Sequence, residues 1–510
     1  MKGRVVLLDT VRLLRAGMSN PISRVIIRLG ERPGSEGWSR LDQALRSFAF
    51  EESSGGLTDR IYFFLVKMIL STGCQAFDTH VESIKKYLRD PVVRRAVVAV
   101  LSSIGYYGVT RPQLLKAPFL AVWNLTNACN LKCRHCYQNA GKKARDELSL
   151  EEKFSVIKEL RDAGVVSIAF SGGEPLMSPD FFDVAQVARE NDIHVALATN
   201  GTLITPETAR LLRKIDVCYV EVSLDAASPE LHDTFRGIPG SHALSLQGIR
   251  NSLEAGIFTS IATTVTRYNL KEVCDIIELG RKMKVDRFIH FNFIPSGRGL
   301  GIIQADITPE EREELLRTLI KESQVPGIEV LSTAPQFGRI AVQESCGGLS
   351  APTHFYVGKS TNWGLQDLAQ FIGGCGAGRL YCAIQPNGLV TPCVFMPNLV
   401  VGNLRTSNFT KIWQENEILK ELRNKDLLKP GCGSCENRYA CGGCRARALG
   451  YFSDYLAPDV GCIKNLHEWE NLRNESKPVE LDVSGQGPRS RESKSCRNRL
   501  VPSLLESSAA

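Results

Sequence analysis

Three cysteines, Cys129, Cys133 and Cys136, follow directly on the apolar run Phe119-Leu120-Ala121-Val122-Trp123. A strand that feeds a short cysteine-rich loop lets three thiolates converge on one iron–sulfur cluster. A [4Fe–4S] cluster ordinarily takes four protein thiolates, so three leave one iron open for another ligand. The alternative is zinc, which needs a fourth ligand close by. His135, held between two of the cysteines, is badly placed to fold back and supply it. A second array holds Cys375, Cys382 and Cys393, then Cys432, Cys435, Cys441 and Cys444, and finally Cys462. Eight thiols saturate two further [4Fe–4S] clusters. A zinc ribbon is the alternative for the paired cysteines.

The elements that must position these residues alternate in type. Candidate strands cover 118–124, 166–170, 193–198, 217–223, 258–265 and 287–293. Amphipathic helices are expected near 149–163, 179–190, 205–213, 241–255 and 270–283. Ser149 with Glu152, and Thr308 with Glu311, read as capping boxes. Strands separated by helices imply parallel βαβ units with right-handed crossovers. Six units are too few for a closed eight-stranded barrel, and ligands in such folds bind at the carboxyl ends of the strands. The expected division is a helical segment over 1–113, with loops at 33–37 and 53–56, and an α/β core over 114–300. A linking region follows over 301–374, then a cysteine-rich domain over 375–465 and a disordered basic tail over 475–510. Asn387-Gly388 marks a hairpin turn inside the cysteine-rich domain. Cys74 reads as a small buried hydrophobe, Cys346 has no assigned role, and Cys496 reads as a free thiol.

Composition narrows the class. At 510 residues the chain exceeds one ordinary core, and 43% hydrophobic with 23% charged residues describes a soluble globular protein. A net charge of +7 over that length makes no case for nucleic acid, and no basic, aromatic-laced surface is visible. The start, Met1-Lys2-Gly3-Arg4, leads into an apolar run broken by Asp9 and Arg12, which does not read as an export signal. The run from Ile61 to Leu70 contains Lys67 and is shorter than a membrane span. Clustered cysteines in such a chain favour metal ligation over disulfides. The expected setting is the cytoplasm, reducing and low in oxygen.

The loop Cys129-Asn130-Leu131-Lys132-Cys133-Arg134-His135-Cys136 resembles the hallmark of the radical S-adenosylmethionine (SAM) enzymes. The resemblance implies a partial (β/α)6 TIM-type barrel, with the helical domain before it and the small iron–sulfur domain after it. It also implies that the open iron chelates SAM and that electron transfer yields a 5′-deoxyadenosyl radical. Ser171-Gly172-Gly173-Glu174-Pro175, at the end of the second strand, looks like the family's Gly-Gly-Glu motif. By resemblance Gly172, Gly173 and Glu174 hold the SAM amino group. Asn200, Ser223, Asp225 and Arg236 match positions that bind its ribose and carboxylate, and His135 lies against its adenine. For Asn200 a turn residue, and for Asp225 with Arg236 a surface salt bridge, are the alternatives. A flavodoxin- or ferredoxin-like reductant is implied as partner.

The second array resembles the SPASM domain of radical SAM maturases. Twelve residues separate Cys375 from Gly388, and four separate Gly388 from Cys393. The resemblance implies one auxiliary cluster on Cys375, Cys382, Cys393 and Cys444, and another on Cys432, Cys435, Cys441 and Cys462. Such clusters would accept an electron from a substrate radical, giving a net oxidation, while the protein positions the target. Relatives that mature sulfatases carry Asp directly after the cysteine matched by Cys393, and this chain has Val394. Pro392-Cys393-Val394-Phe395 and Cys441-Gly442-Gly443-Cys444-Arg445-Ala446-Arg447-Ala448 resemble the branch acting on haem and haem d1 precursors. The expected substrate is therefore a tetrapyrrole side chain. A ribosomally made peptide is the second reading, and a non-catalytic iron–sulfur electron carrier is the alternative of another class.

Overall fold

The computed structural model describes residues 18, 20–33, 39–52, 55–76, 80–343 and 373–475. Cys346, Cys496, the tail and most of the loops at 33–37 and 53–56 lie outside them. The first part is helical: α1 (Pro21–Leu29), α2 (Arg40–Phe50), α3 (Leu57–Ala76), α4 (Val81–Leu88) and α5 (Pro91–Tyr107). Asn20, Ser39 and Asp90 each accept a backbone N–H at a helix start, and Pro21 and Pro91 sit where a missing N–H costs nothing. Leu41, Leu45 and Phe48 of α2 pack with Tyr62, Leu88 and Ile104 into a core of their own. Cys74 is buried, as expected. No helix among the described residues is long and apolar enough to cross a membrane.

The centre is α/β. Strands β1 (Leu120–Thr126), β2 (Ser167–Gly172), β3 (His194–Thr199), β4 (Tyr219–Ser223), β5 (Phe258–Val265) and β6 (Arg287–Asn292) alternate with helices, as the spacing predicts. These helices include α6 (Leu150–Ala163), α7 (Phe181–Glu190), α8 (Pro206–Lys214), α9 (Pro229–Arg236), α10 (Ser241–Glu254) and α11 (Val273–Met283). Both expected capping boxes form, at Ser149 and at Thr308. Helix α9 is not legible in the hydrophobic spacing, yet it returns Arg236 to the site.

The region expected to be linking, 301–374, carries α12 (Pro309–Ser323), β7 (Glu329–Ser332) and α13 (Pro335–Gln343). The cysteine-rich segment supplies β8 (Tyr381–Ile384), β9 (Leu389–Thr391) and β10 (Gly402–Asn403). All these strands share one ten-stranded sheet, in the order β10-β9-β8-β1-β2-β3-β4-β5-β6-β7. Strand β8 runs parallel to β1, with Leu120 opposite Tyr381 and Trp123 opposite Ile384. The six-unit expectation is thereby extended at both edges, once by β7 and once by the auxiliary domain's own first strand. Gly388 turns the β8–β9 hairpin with φ +83°, where any side chain would be strained.

Two cores sandwich the sheet. Trp123, Phe170, Phe181 and Phe288 are fully buried between strands and helices, each worth about 1.5–3 kcal/mol of burial. The opposite face packs Ala169, Ala196, Tyr219 and Ile289 against Tyr381, Met396 and Ala446 of the cysteine-rich segment.

A buried ion network ties the two parts together. Arg312 pairs with Asp306 and donates to Asn292, while Arg447 of α14 (Arg445–Phe452) pairs with Asp459, 3.3 Å away. Asp459 also accepts from Gln336 (2.6 Å) and from the Cys444 N–H (2.7 Å).

Candidate active site and auxiliary cysteine cavities

The loop from Cys129 to Cys136 leaves β1 at its carboxyl end and is clamped from three sides. Strand β2 holds its start: the Gly173 N–H donates to Thr126 O and the Glu174 N–H to Ala128 O, both at 2.8 Å. A methyl on Gly173 would lie 2.1 Å from Ala128 O, so the two glycines serve contact with this loop's backbone. Helix α9 holds the middle, where Lys132 and Arg134 donate to the carbonyls of Arg236 and Phe235. The segment after β6 holds the end. Gly297, at φ +55°, would drive a Cβ into Cys136 O and Tyr137 O, and Arg298 donates to Cys133 O (2.8 Å) and Ala140 O (2.6 Å). Arg298 was not among the expected site residues. A lone arginine in a Gly-rich loop gives no sequence signal.

Each of the three sulfurs receives one N–H. Leu131 donates to Cys129 Sγ (3.4 Å), Arg236 Nη1 to Cys133 Sγ (3.7 Å) and Ala140 to Cys136 Sγ (3.5 Å). Such contacts favour sulfur carrying negative charge, as a cluster ligand does. Burial pushes the Cys129 thiol up to about 11 and the Cys133 thiol above its ordinary value.

Asp225, at the end of β4, and Arg236, at the end of α9, are both buried and lie 2.7 Å apart, so the surface salt bridge is excluded. Burial alone would raise the Asp225 carboxyl, but Arg236, His135 and His232 together hold it below its ordinary value. His135 Nε2 lies 3.6 Å from Asp225, and its ring stacks on Phe235 at 4.4 Å and 12°. Burial drives this imidazole down to about 4, so it is neutral near pH 7. Glu174 is fully buried; it accepts from Thr199 Oγ1 (2.7 Å), the Asn200 N–H (2.8 Å) and the Leu176 N–H (3.2 Å). Burial raises its carboxyl, and these donors offset part of that. Asn200 donates in turn to Asn130 inside the cysteine loop (2.8 Å). Ser223 ends β4, half-buried.

The second array divides between two cavities. Cys432, Cys435, Cys441 and Cys462 line one, with Arg339 and Lys464 at its wall. Cys375, Cys393 and Cys444 line a larger one, which also meets Asn292 of β6 and Thr333 beyond β7. Cys382 is not brought there. Strand alternation sends Tyr381 and Ala383 to the face that holds Cys393, and Cys382 and Ile384 to the opposite core beside Leu419 and Leu422. The Tyr381 hydroxyl lies 3.1 Å from Cys393 Sγ. The hairpin also reaches the first site, where Gln385 accepts from Asn124 (3.2 Å) and Gln138 (2.9 Å). Tyr137, directly after Cys136, meets Phe395 of the larger cavity edge to face at 5.1 Å.

Buried cations flank both cavities without carboxylate partners among the described residues. Lys425 Nζ, Arg379 Nε and Nη1, and Arg445 Nη2 have no hydrogen-bond acceptor, and these residues are 1–2% exposed. Burying unpaired cations costs several kcal/mol each unless an anion answers them. Thiolate-ligated clusters carry net negative charge, so the residues fit the group.

Burial also pushes the thiols of Cys462 to about 11 and of Cys393 and Cys444 to about 12. Because these folded values lie above the ordinary thiol, the apoprotein holds the full contribution below about pH 9 and loses it as pH rises through about 11 to about 12. Melting temperatures under anaerobic reducing conditions should fall over that window for the apoprotein and fall less for the iron-loaded protein. Equal falls would remove the thiols as the cause.

Comparisons with known proteins agree with this geometry. The family profile described as "Radical SAM superfamily" matches residues 123–280, and "Iron-sulfur cluster-binding domain" matches 375–437. The chain is 34% identical to an AdoMet-dependent heme synthase of Methanosarcina barkeri, over 69% of this chain and 97% of that one. It is 30% identical to the mycofactocin maturase MftC of Mycobacterium tuberculosis, over 74% and 94%. Among solved structures, Streptococcus suis SuiB bound to S-adenosylmethionine superposes with a TM-score of 0.58 at 16% identity, over 82% of this chain and 92% of that one, a likeness of fold. With the cysteine loop at the strand end and the auxiliary cysteines gathered beside it, the chain belongs to the radical SAM superfamily, as an enzyme that uses a [4Fe–4S] cluster with SAM and carries a SPASM-type domain for auxiliary iron–sulfur clusters.

Proposed function

We propose that this chain oxidatively decarboxylates propionate side chains of a tetrapyrrole. The observation that carries the oxidative part is the larger cavity, where three auxiliary thiols face the space between β6, β7 and Tyr381. An electron acceptor beside the substrate lets a carbon radical lose one more electron. The substrate class is supported by the similarity to heme synthases and to an Fe-coproporphyrin III synthase of Methanosarcina barkeri, 30% identical over 88% of its length.

Cys129, Cys133 and Cys136 would hold the cluster that binds SAM, Gly172–Glu174 would brace that loop where the resemblance puts the SAM amino group, and Ser223 would contribute to the contacts with its ribose and carboxylate. When bound, this pair supplies a 5′-deoxyadenosyl radical. Asp225 and Arg236 keep the neutral His135 ring flat against Phe235, where an adenine can extend the stack. Cys432, Cys435, Cys441 and Cys462 hold one auxiliary cluster, and Cys375, Cys393 and Cys444 the other. The propionate would lose a hydrogen atom from the carbon next to the ring to the deoxyadenosyl radical, which becomes deoxyadenosine, and a cluster held by Cys375, Cys393 and Cys444 would supply the acceptor for the second electron. Carbon dioxide leaves and a vinyl group remains, so atoms and electrons balance.

Anaerobic incubation with SAM, dithionite and iron-coproporphyrin should give vinyl products with carbon dioxide, one deoxyadenosine per propionate lost. Deoxyadenosine without porphyrin turnover would sink the substrate and favour the peptide reading, which the similarity to MftC supports. Cys382→Ala should keep the wild-type iron count and melt only slightly earlier, at about 1 kcal/mol for the small core void. Loss of about four irons would restore Cys382 as a ligand.

A further inference from the structure

One backbone contact joins the linings of the two auxiliary cavities. The Cys375 N–H donates to Cys441 O at 3.2 Å, and a methyl on Gly374 would lie 1.9 Å from that same carbonyl. Cys375 belongs to one cavity and Cys441 to the other. Three buried cations gather around this seam. Arg379 donates to Cys375 O at 3.4 Å. Arg445 spans Gly443 O, Tyr455 O and Ala457 O, and a methyl on Gly443 would lie 2.7 Å from Arg445 Nη2 and 2.8 Å from Cys432 Sγ. Lys425 Nζ sits 2.7 Å from the corresponding point on Gly442, within electrostatic range of Cys375, of Cys441 and of both arginines. None of the three makes a salt bridge among the described residues, although Arg447 close by in the chain pairs with Asp459. The nearby carboxylates make their direct ion pairs elsewhere, Asp426 with Arg438, Asp454 with Lys429 and Asp459 with Arg447, although Asp454 and Asp459 remain within electrostatic range of Arg445.

We propose that Arg379, Lys425 and Arg445 form a cationic wedge that raises the reduction potential of both auxiliary clusters and so makes them electron acceptors. The inference rests on the reading that these cysteines hold clusters. Reduction adds one negative charge to a cluster, and a fixed cation in a low-dielectric interior stabilises the reduced form more than the oxidised one. Lys425 and Arg379 have no carboxylate beside them among the described residues, while the field of Arg445 is partly offset by Asp454 and Asp459. A wedge at the seam acts on two clusters at once, so both potentials shift in the same direction.

The test uses the reconstituted full chain with Lys425→Met and Arg379→Met, each compared with its charge-keeping partner, Lys425→Arg or Arg379→Lys. Iron and sulfide are counted first, and potentials are then read by electron paramagnetic resonance during redox titration. Each methionine variant should keep its iron and lose at least tenfold in the equilibrium constant for electron uptake, a downward shift of 59 mV for one electron. The charge-keeping variants should stay near wild type. Methionine variants that lose iron where the charge-keeping ones retain it would support the wedge as the anion's counter-charge. Unchanged potentials with full iron would overturn the proposal and leave the cluster assignment standing. Iron lost alike from both kinds of variant would make the role one of packing and overturn it too. A wild-type chain without auxiliary iron would fail the cluster reading itself.

Discussion

Replacing Cys133 by Ala should leave the reconstituted chain with about eight irons in place of about twelve and abolish deoxyadenosine release. A cluster that already spends one iron on SAM has no thiolate to spare, so losing one of three ligands loses the cluster. The rate of SAM cleavage should drop at least about a thousandfold, near 4 kcal/mol in barrier terms. The auxiliary irons should remain, because Cys375, Cys393 and Cys444 line a separate cavity, as do Cys432, Cys435, Cys441 and Cys462. Iron counting with low-temperature resonance of the reduced protein separates the two pools. Undiminished SAM cleavage by the Cys133→Ala chain would remove this loop from the active site.

The second large effect is expected at Arg236. Arg236→Met leaves Asp225 buried and ionised without its ion-pair partner, and breaking such a pair costs about 3–5 kcal/mol. The same substitution removes the N–H directed at Cys133 Sγ. The apoprotein should therefore melt earlier, and the SAM cluster of the loaded protein should reduce at a lower potential. The double substitution Arg236→Met with Asp225→Leu should recover much of the stability and none of the potential, since no N–H returns to the sulfur. A double variant that recovers both would show the potential to follow packing and not the Arg236 contact.

Much of this site is legible in the amino-acid sequence. Cys129, Cys133 and Cys136 lie in one short loop, so their meeting follows from covalent spacing. The end of β2 places Gly172–Glu174 beside that loop because neighbouring parallel strands end together. The role of the two glycines is less visible. Gly172 admits the Asn124–Thr126 backbone and Gly173 the Asn127–Ala128 backbone, contacts that sequence reasoning assigns to ligand. Strand β7 escapes because Glu329–Ser332 is too short to show a period. Arg298 and Asp459 escape because each acts on a segment far away in sequence.

Cys382 shows the limit most sharply. Tyr381-Cys382-Ala383-Ile384 is buried on both faces, so no alternation of polar and apolar residues reveals which side faces the cavity. The pairing of β8 with β1 fixes that side, and it turns Cys382 away from Cys375, Cys393 and Cys444. The number, type and local spacing of the cysteines were determined by the sequence alone, and with them the chemistry of iron–sulfur clusters and SAM. The tertiary structure decided which cysteines share a cavity, that Asp225 and Arg236 are buried against Cys133, and that unpaired cations stand at the seam between the auxiliary cavities. Ligand spacing within a loop is set by a few covalent bonds. The rest depends on strand register and on contacts between segments hundreds of residues apart, which only the packed core fixes.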